Sequence, residues 1–197
     1  MITKSIKLIL FTFIISSLLI SCGSGGGTTT FTVTDADLQK ILGSFAVTET
    51  YDKTTFEYDE NGAETSNKTT TELDEAIYIL TDDESKKCDV GQYFYIGGGI
   101  YPLEYSCVSD DIARKISLTI DPDARKMTYI VTATDQTFTD VDGTEIKLSV
   151  SETEIIIYAT DYKSYTGTIN KIHNFEQIET GKKIKVTTTG TITGVRE

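Results

Sequence analysis

Lys115-Ile116-Ser117-Leu118-Thr119-Ile120 alternates polar and apolar residues without a break, and Glu145-Ile146-Lys147-Leu148-Ser149-Val150 does the same. Successive side chains on an extended backbone point to opposite sides, so a period of two predicts a strand with one face in a core and one in water. Lys183-Ile184-Lys185-Val186 repeats the pattern near the end of the chain. Glu75 to Thr81 and Glu154 to Thr160 are more continuously apolar, which predicts central places in a sheet.

Turn-forming residues separate these runs: Glu60-Asn61-Gly62, Gly97-Gly98-Gly99, Asp121-Pro122-Asp123 and Asp142-Gly143. Roughly nine or ten strands joined by short hairpins predict an all-β fold, an antiparallel meander closed as a barrel or stacked as a β-sandwich. No alternation of strands with helices appears, which excludes nucleotide-binding α/β folds. One short helix precedes the strands. Thr34 is its N-cap, Asp37 the capping-box acid, Leu38, Ile41 and Leu42 its apolar face, and Gly43 its stop. Asn170 to Glu179 lacks alternation and reads as a loop or short helix.

The N-terminal segment has a different character. Met1 to Lys7 carries Lys4 and Lys7 and no acid, and Leu8 to Ile20 is an apolar run. That run covers roughly 20 Å as a helix, short of the ~30 Å core of a bilayer, which favours a cleaved export signal over a permanent span. Leu19-Ile20-Ser21-Cys22 resembles the lipobox of bacterial lipoproteins. The resemblance implies cleavage before Cys22, acylation of that cysteine and a place in the bacterial cell envelope, on the outer membrane in a Gram-negative cell. Two or more acyl chains anchor a protein stably. Residues 1–21 are thus the expected signal, 22–30 the lipidated cysteine with a flexible Gly/Ser/Thr tether, and 31–197 a single β-rich domain.

The formal charge of the whole chain is −12, and losing Lys4 and Lys7 with the signal takes it to −14. A field of that sign repels phosphate backbones and anionic headgroups, which excludes nucleic acid as a partner and leaves the lipid anchor as the membrane contact. Of three cysteines, Cys22 goes to lipid, and the remaining pair in an exported chain favours a disulfide over two free thiols. A two-residue turn at Gly97-Gly98 would set Cys88 opposite Cys107 and Tyr93 opposite Pro102 within one hairpin.

The chemistry-bearing inventory is thin. His173 is the sole histidine, which excludes zinc sites built on several of them, and no nucleophile setting accompanies it. No phosphate-binding or dinucleotide fingerprint occurs. Asp140, Asp142, Gly143 and Glu145 echo a calcium loop, but the spacing fails and a hairpin turn accounts for them. No metal, cofactor or catalytic residue is expected; a hydrolase is the remote alternative.

Asp37 to Phe45, DLQKILGSF, resembles the opening of a lipocalin, where a short helical turn leads into a G-x-W motif. Thr160-Asp161-Tyr162 followed by Tyr165 is similar to that family's second motif, at the turn before the last two strands. Phe45 replaces the tryptophan, the interval from Gly43 to Asp161 is long, and the sequence shows no third-motif arginine or C-terminal helix, with Arg196 one residue from the end. The resemblance implies a barrel whose closed end is packed by Phe45 and Tyr162, with ligand entering at the other end.

Tyr93, Tyr95, Tyr101 and Tyr105 crowd around the three glycines and are the candidate partner-binding residues, since tyrosine supplies contact area with a polar tip. The competing reading puts one face of that hairpin in the core. The expected function is binding without catalysis, of a small apolar ligand or of an envelope protein or glycan. A purely structural or adhesive lipoprotein is the alternative.

Overall fold

A computed structural model describes residues 30–89, 92–97, 99–109, 112–140 and 142–197. Leu19 to Cys22, the expected signal and nearly all of the tether lie outside the described residues. Strand β1 (Phe31–Val33) is followed by helix α1 (Asp35–Ile41). The capping box is formed as read: Thr34 Oγ1 accepts from the Asp37 amide, and the Asp37 carboxylate accepts from the Thr34 amide. The Thr34 hydroxyl and the Lys40 ammonium, which donate to the same carboxylate, hold the Asp37 carboxyl at about 2. Gly43 ends the helix with φ +141°, and a Cβ there would lie 2.5 Å from the Arg196 guanidinium.

Long strands then dominate: β2 (Gly43–Tyr58), β3 (Glu64–Thr81), the short β4 (Tyr93–Tyr95) and β5 (Gly99–Tyr101), then β6 (Leu103–Ser109), β7 (Ile112–Asp121), β8 (Lys126–Thr139), β9 (Glu145–Tyr158), β10 (Ser164–Gln177) and β11 (Lys183–Arg196). Nine of them form one sheet in the order β4-β3-β2-β11-β10-β9-β8-β7-β6, while β1 and β5 pair separately. From β6 to β11 the chain is a simple meander. The last strand then pairs with the first long one, Gly194 against Val47 and Gly190 against Tyr51, so the sheet curls into a half-barrel.

The β8–β9 hairpin turn is built by Asp140, whose Oδ1 accepts from the amides of Asp142 and Thr144. Asp59 does the same for Asn61 and Ala63. These acids therefore serve their own turns, as the hairpin reading of Asp140 and Asp142 required.

Alternation sends one set of side chains to the concave face. At one end it is apolar and closely packed: Phe45, Ile116, Leu118 and Ile192 are fully buried, and Leu38 and Ile41 of α1 join them. Gly194 lies under the Tyr165 ring, where a Cβ would fall 2.2 Å from a ring carbon, so glycine lets the aromatic face rest on the backbone. A smaller apolar group of Ile112, Ala133, Leu148 and Val150, with Phe138 and Phe175 against it, lies toward the opposite end.

Three expectations need correction. Asn170 to Glu179 is neither loop nor helix, because β10 runs through Gln177. Glu75 to Thr81 is not central: β3 is bordered on its outer side only by β4, along Ile79 to Thr81. Tyr93 to Tyr105 is not one hairpin, since β4 lies parallel to β3 and β5 pairs with β1. Phe94, Ile96 and Tyr101 enter the core instead. Burying three large side chains at about 1.5–3 kcal/mol each outweighs the few ladder bonds a short hairpin would add.

Candidate functional site

Between its two apolar ends the concave face carries charge. On β10 the inward positions run Tyr165, Ile169, Lys171, His173 and Phe175, and register sets Ile169 opposite Glu154 and Lys171 opposite Glu152 of β9. Glu154 and Glu49 are 5% and 6% exposed. Lys171 Nζ lies 3.4 Å from Glu154 Oε1 and 3.7 Å from Glu49 Oε2, so one ammonium serves two buried carboxylates. The Tyr78 hydroxyl donates to Glu49 Oε1, and His173 Nε2 lies 2.6 Å from Glu152 Oε1.

The electrostatics follow from this arrangement. Burial pushes the Glu154 carboxyl up to about 7, with Lys171 only partly opposing it. Glu152 is half-buried, and its bond to His173 and the nearby Lys171 and Arg114 outweigh desolvation and hold it below the ordinary value. Burial would lower Lys171, yet Glu154 and Glu49 raise it above the ordinary value. Glu154 Oε2 is buried with no hydrogen-bond partner among the described residues. Beside it lies a cavity of about 200 Å³ lined by Tyr78, Phe94, Tyr129 and Val131 together with the charged Arg114, Glu152, Glu154 and Lys171. The Phe94 ring centre lies 4.9 Å from those of Tyr78 and Tyr129, tilted by 48° to the first and edge-on at 67° to the second. A further recess of about 210 Å³ adjoins Lys171 and His173 on the β2 side, beneath Tyr51, whose hydroxyl donates to Asp74 and Glu72.

Toward the open end, Phe138, Ile146, Phe175 and Ile184 line a cleft of about 620 Å³ that also carries Lys182 and Lys183 and the acids Glu57, Asp59 and Asp140. A neighbouring cleft of about 470 Å³ shares Phe175 and Ile184 and opens beside Lys147 and Lys185.

The tyrosine candidates occupy a different region. Tyr101 is 1% exposed, its hydroxyl donating to Gly97 O, and Tyr105 is also buried. Tyr93 and Tyr95 are half-buried: Lys86 Nζ lies 4.7 Å from the Tyr93 ring, and Lys87 lies over Tyr95 and Tyr105. The set of four is thus not a free contact surface, because two members are core and the lysines of the Glu84–Lys86 turn region cover the others. Cys88 and Cys107 are disulfide-bonded with Cα atoms 5.2 Å apart, but the bond does not sit across one ladder. It ties the segment after β3 to β6, joining the two margins of the curled sheet.

Phe45 and Tyr162 pack at the closed end: Phe45 lies 5.2 Å from Tyr165 and 6.1 Å from Tyr158, and Tyr162 lies 5.7 Å from Tyr158. Arg196, passed over as too near the end of the sequence, sits with its guanidinium carbon 4.8 Å from the centre of the Phe45 ring. The buried Glu49, Glu154 and Lys171 were also missed. Glu154 shares the parity of the buried Ile156 and Tyr158, which was the signal available for it.

Among the described residues no group of three or more His, Cys, Asp and Glu is placed to hold a metal ion, and no helix is long and apolar enough to cross a membrane. No protein-family model matches the chain, and neither does any curated protein or solved structure.

Proposed function

We propose that this chain is a lipid-anchored protein of the bacterial cell envelope whose curled sheet binds a small amphipathic ligand and leaves it chemically unchanged. The observation that carries the binding reading is the cleft at the open end, where Phe138, Ile146, Phe175 and Ile184 give it apolar walls and Lys182 and Lys183 edge it. Ligand sites are concave and mostly apolar, with a few polar groups that orient the guest. The anchor rests on Leu19 to Cys22 and the apolar run before it. A lipocalin-like architecture is supported by α1 leading into Gly43 and Phe45, by Arg196 against Phe45, and by the pairing of the first long strand with the last.

An anionic apolar fluorophore, 8-anilinonaphthalene-1-sulfonate, tests the cleft. The expected result is saturable enhancement of its fluorescence by the folded domain, weakened at least tenfold in Ile184→Glu, which replaces a part-exposed apolar wall with a charge that repels the sulfonate, with near-ultraviolet dichroism unchanged. Equal binding by that variant, or none by the native domain, would reject the cleft as the site. For the anchor, Cys22→Ala should abolish metabolic lipid labelling; retained label would refute the assignment.

A further inference from the structure

We infer that the cavity beside Glu154 binds a small organic amine as its ammonium ion, held by the free carboxylate oxygen and seated against the rings of Tyr78, Phe94 and Tyr129. Four observations lead there. First, Glu154 Oε2 is a hydrogen-bond acceptor, buried and without a partner among the described residues, on a residue 5% exposed. Leaving such a group unsatisfied is costly, because it gives up water and gains no partner, so the arrangement calls for a donor that the rest of the site does not supply.

Second, the cavity of about 200 Å³ is several times the ~30 Å³ that one water occupies in the liquid, so its space suits a molecule with a carbon skeleton. Third, Glu49 and Glu154 share one ammonium, that of Lys171, so neither carboxylate has a cation of its own, while Glu152 is paired with His173 and lies in the field of Arg114. An ammonium guest would give that pair a second charged donor. Fourth, Tyr78, Phe94 and Tyr129 are aromatic, and aromatic faces attract a desolvated cation. A bare divalent metal ion fits poorly, since hard cations of that kind take about six or more oxygen ligands.

The cavity shares no lining residue with the cleft at the open end, so the inference stands apart from the proposal for that cleft. It also carries a pH dependence. The groups facing Glu154 are Lys171 and Tyr165 from β10, Glu49 from β2, Tyr78 from β3, Tyr129 from β8 and Glu152 on its own strand, with Arg114 beyond. With the empty-site carboxyl near 7, a cation that binds its ionised form displaces a proton. Affinity should then rise about tenfold between pH 6 and pH 8.

Calorimetric titration of the native domain with 2-phenylethylammonium chloride, and with 2-phenylethanol as the uncharged analogue, tests the assignment. The ammonium ion should bind at least tenfold more tightly than the alcohol, with proton release measurable as a buffer-dependent heat. Glu154→Gln should lose at least tenfold in affinity and flatten the pH profile, with near-ultraviolet dichroism unchanged. Equal affinity for amine and alcohol, unchanged binding by Glu154→Gln, or no binding of the amine at 10 mM would overturn the inference.

Discussion

The Arg196 guanidinium lies 4.8 Å from the centre of the Phe45 ring, and its nitrogens donate to Leu42 O at 2.7 Å, Lys40 O at 2.5 Å and Tyr162 O at 3.3 Å. One side chain thereby ties the end of α1, the first long strand and the β9–β10 turn to the last strand. The Lys40 and Leu42 carbonyls lie at the end of α1, where they have no partner within the helix, and bonds from a charged donor contribute about 1.5–3 kcal/mol. Arg196→Ala should therefore lower stability by about 2–4 kcal/mol in urea titration. Arg196→Lys should restore only part, because an ammonium lacks the planar fork. A loss below about 0.5 kcal/mol in the alanine variant would show that this linkage is ornamental.

Cys88 and Cys107 span the margins of the curled sheet, which between β3 and β6 have no ladder to hold them. Closing a loop of this size stabilises by about 3 kcal/mol in the chain-entropy account. The double variant Cys88→Ser, Cys107→Ser should lose about that amount, and its amides should exchange faster in β4 and β6 than in the central β9 and β10. Native protein, unfolded without reductant, should yield no thiol at either position. Uniform exchange across the sheet in the double variant would contradict the clasp role.

Tyr101 and Tyr93 separate core from surface in the aromatic region. Tyr101→Ala removes a 1% exposed ring and should cost about 3–5 kcal/mol, whereas Tyr93→Ala removes a half-buried ring under Lys86 and should cost about 1 kcal/mol or less. Tyr101→Phe, losing only the bond to Gly97 O, should fall near 1 kcal/mol. Denaturant midpoints for the three variants check the order, and equal costs for Tyr101→Ala and Tyr93→Ala would refute it.

The strands were legible where one face is apolar throughout, as at Ile116, Leu118 and Ile120. They became illegible where the inward face turns polar: in β10, Lys171 and His173 occupy core-facing positions, so alternation vanishes although the backbone stays extended. The same substitution of charge for carbon that hid the strand marks the candidate site, a local inconsistency expected where function overrides packing. The disulfide was legible from cysteine count, but its partners' place was not, because sheet curvature and the core burial of Phe94 and Tyr101 are tertiary properties. Arg196 was missed for a related reason, since the contact with Phe45 exists only when the last strand meets the first.

Glu154 should make stability fall as pH rises. Its folded-state carboxyl sits at about 7 against an ordinary 4.5, so between those values the folded protein holds a proton that the unfolded chain has released. Stability then declines with rising pH across that window, the reverse of an acid in a salt bridge with a lowered pKa. Below 4.5 both states are protonated and the burial of Glu154 carries no charge penalty; above 7 the penalty is complete, on the order of 3 kcal/mol. The other acids of the chain also titrate, so the contribution is read from a difference between two proteins. Glu154→Gln carries no charge at this position at any pH. Urea titrations at pH 4.5 and pH 8 should show the variant gaining on the native protein by about 2–3 kcal/mol as pH rises. A native-minus-variant difference that is the same at both pH values would mean that Glu154 titrates as an ordinary carboxylate, with Lys171 fully compensating its burial.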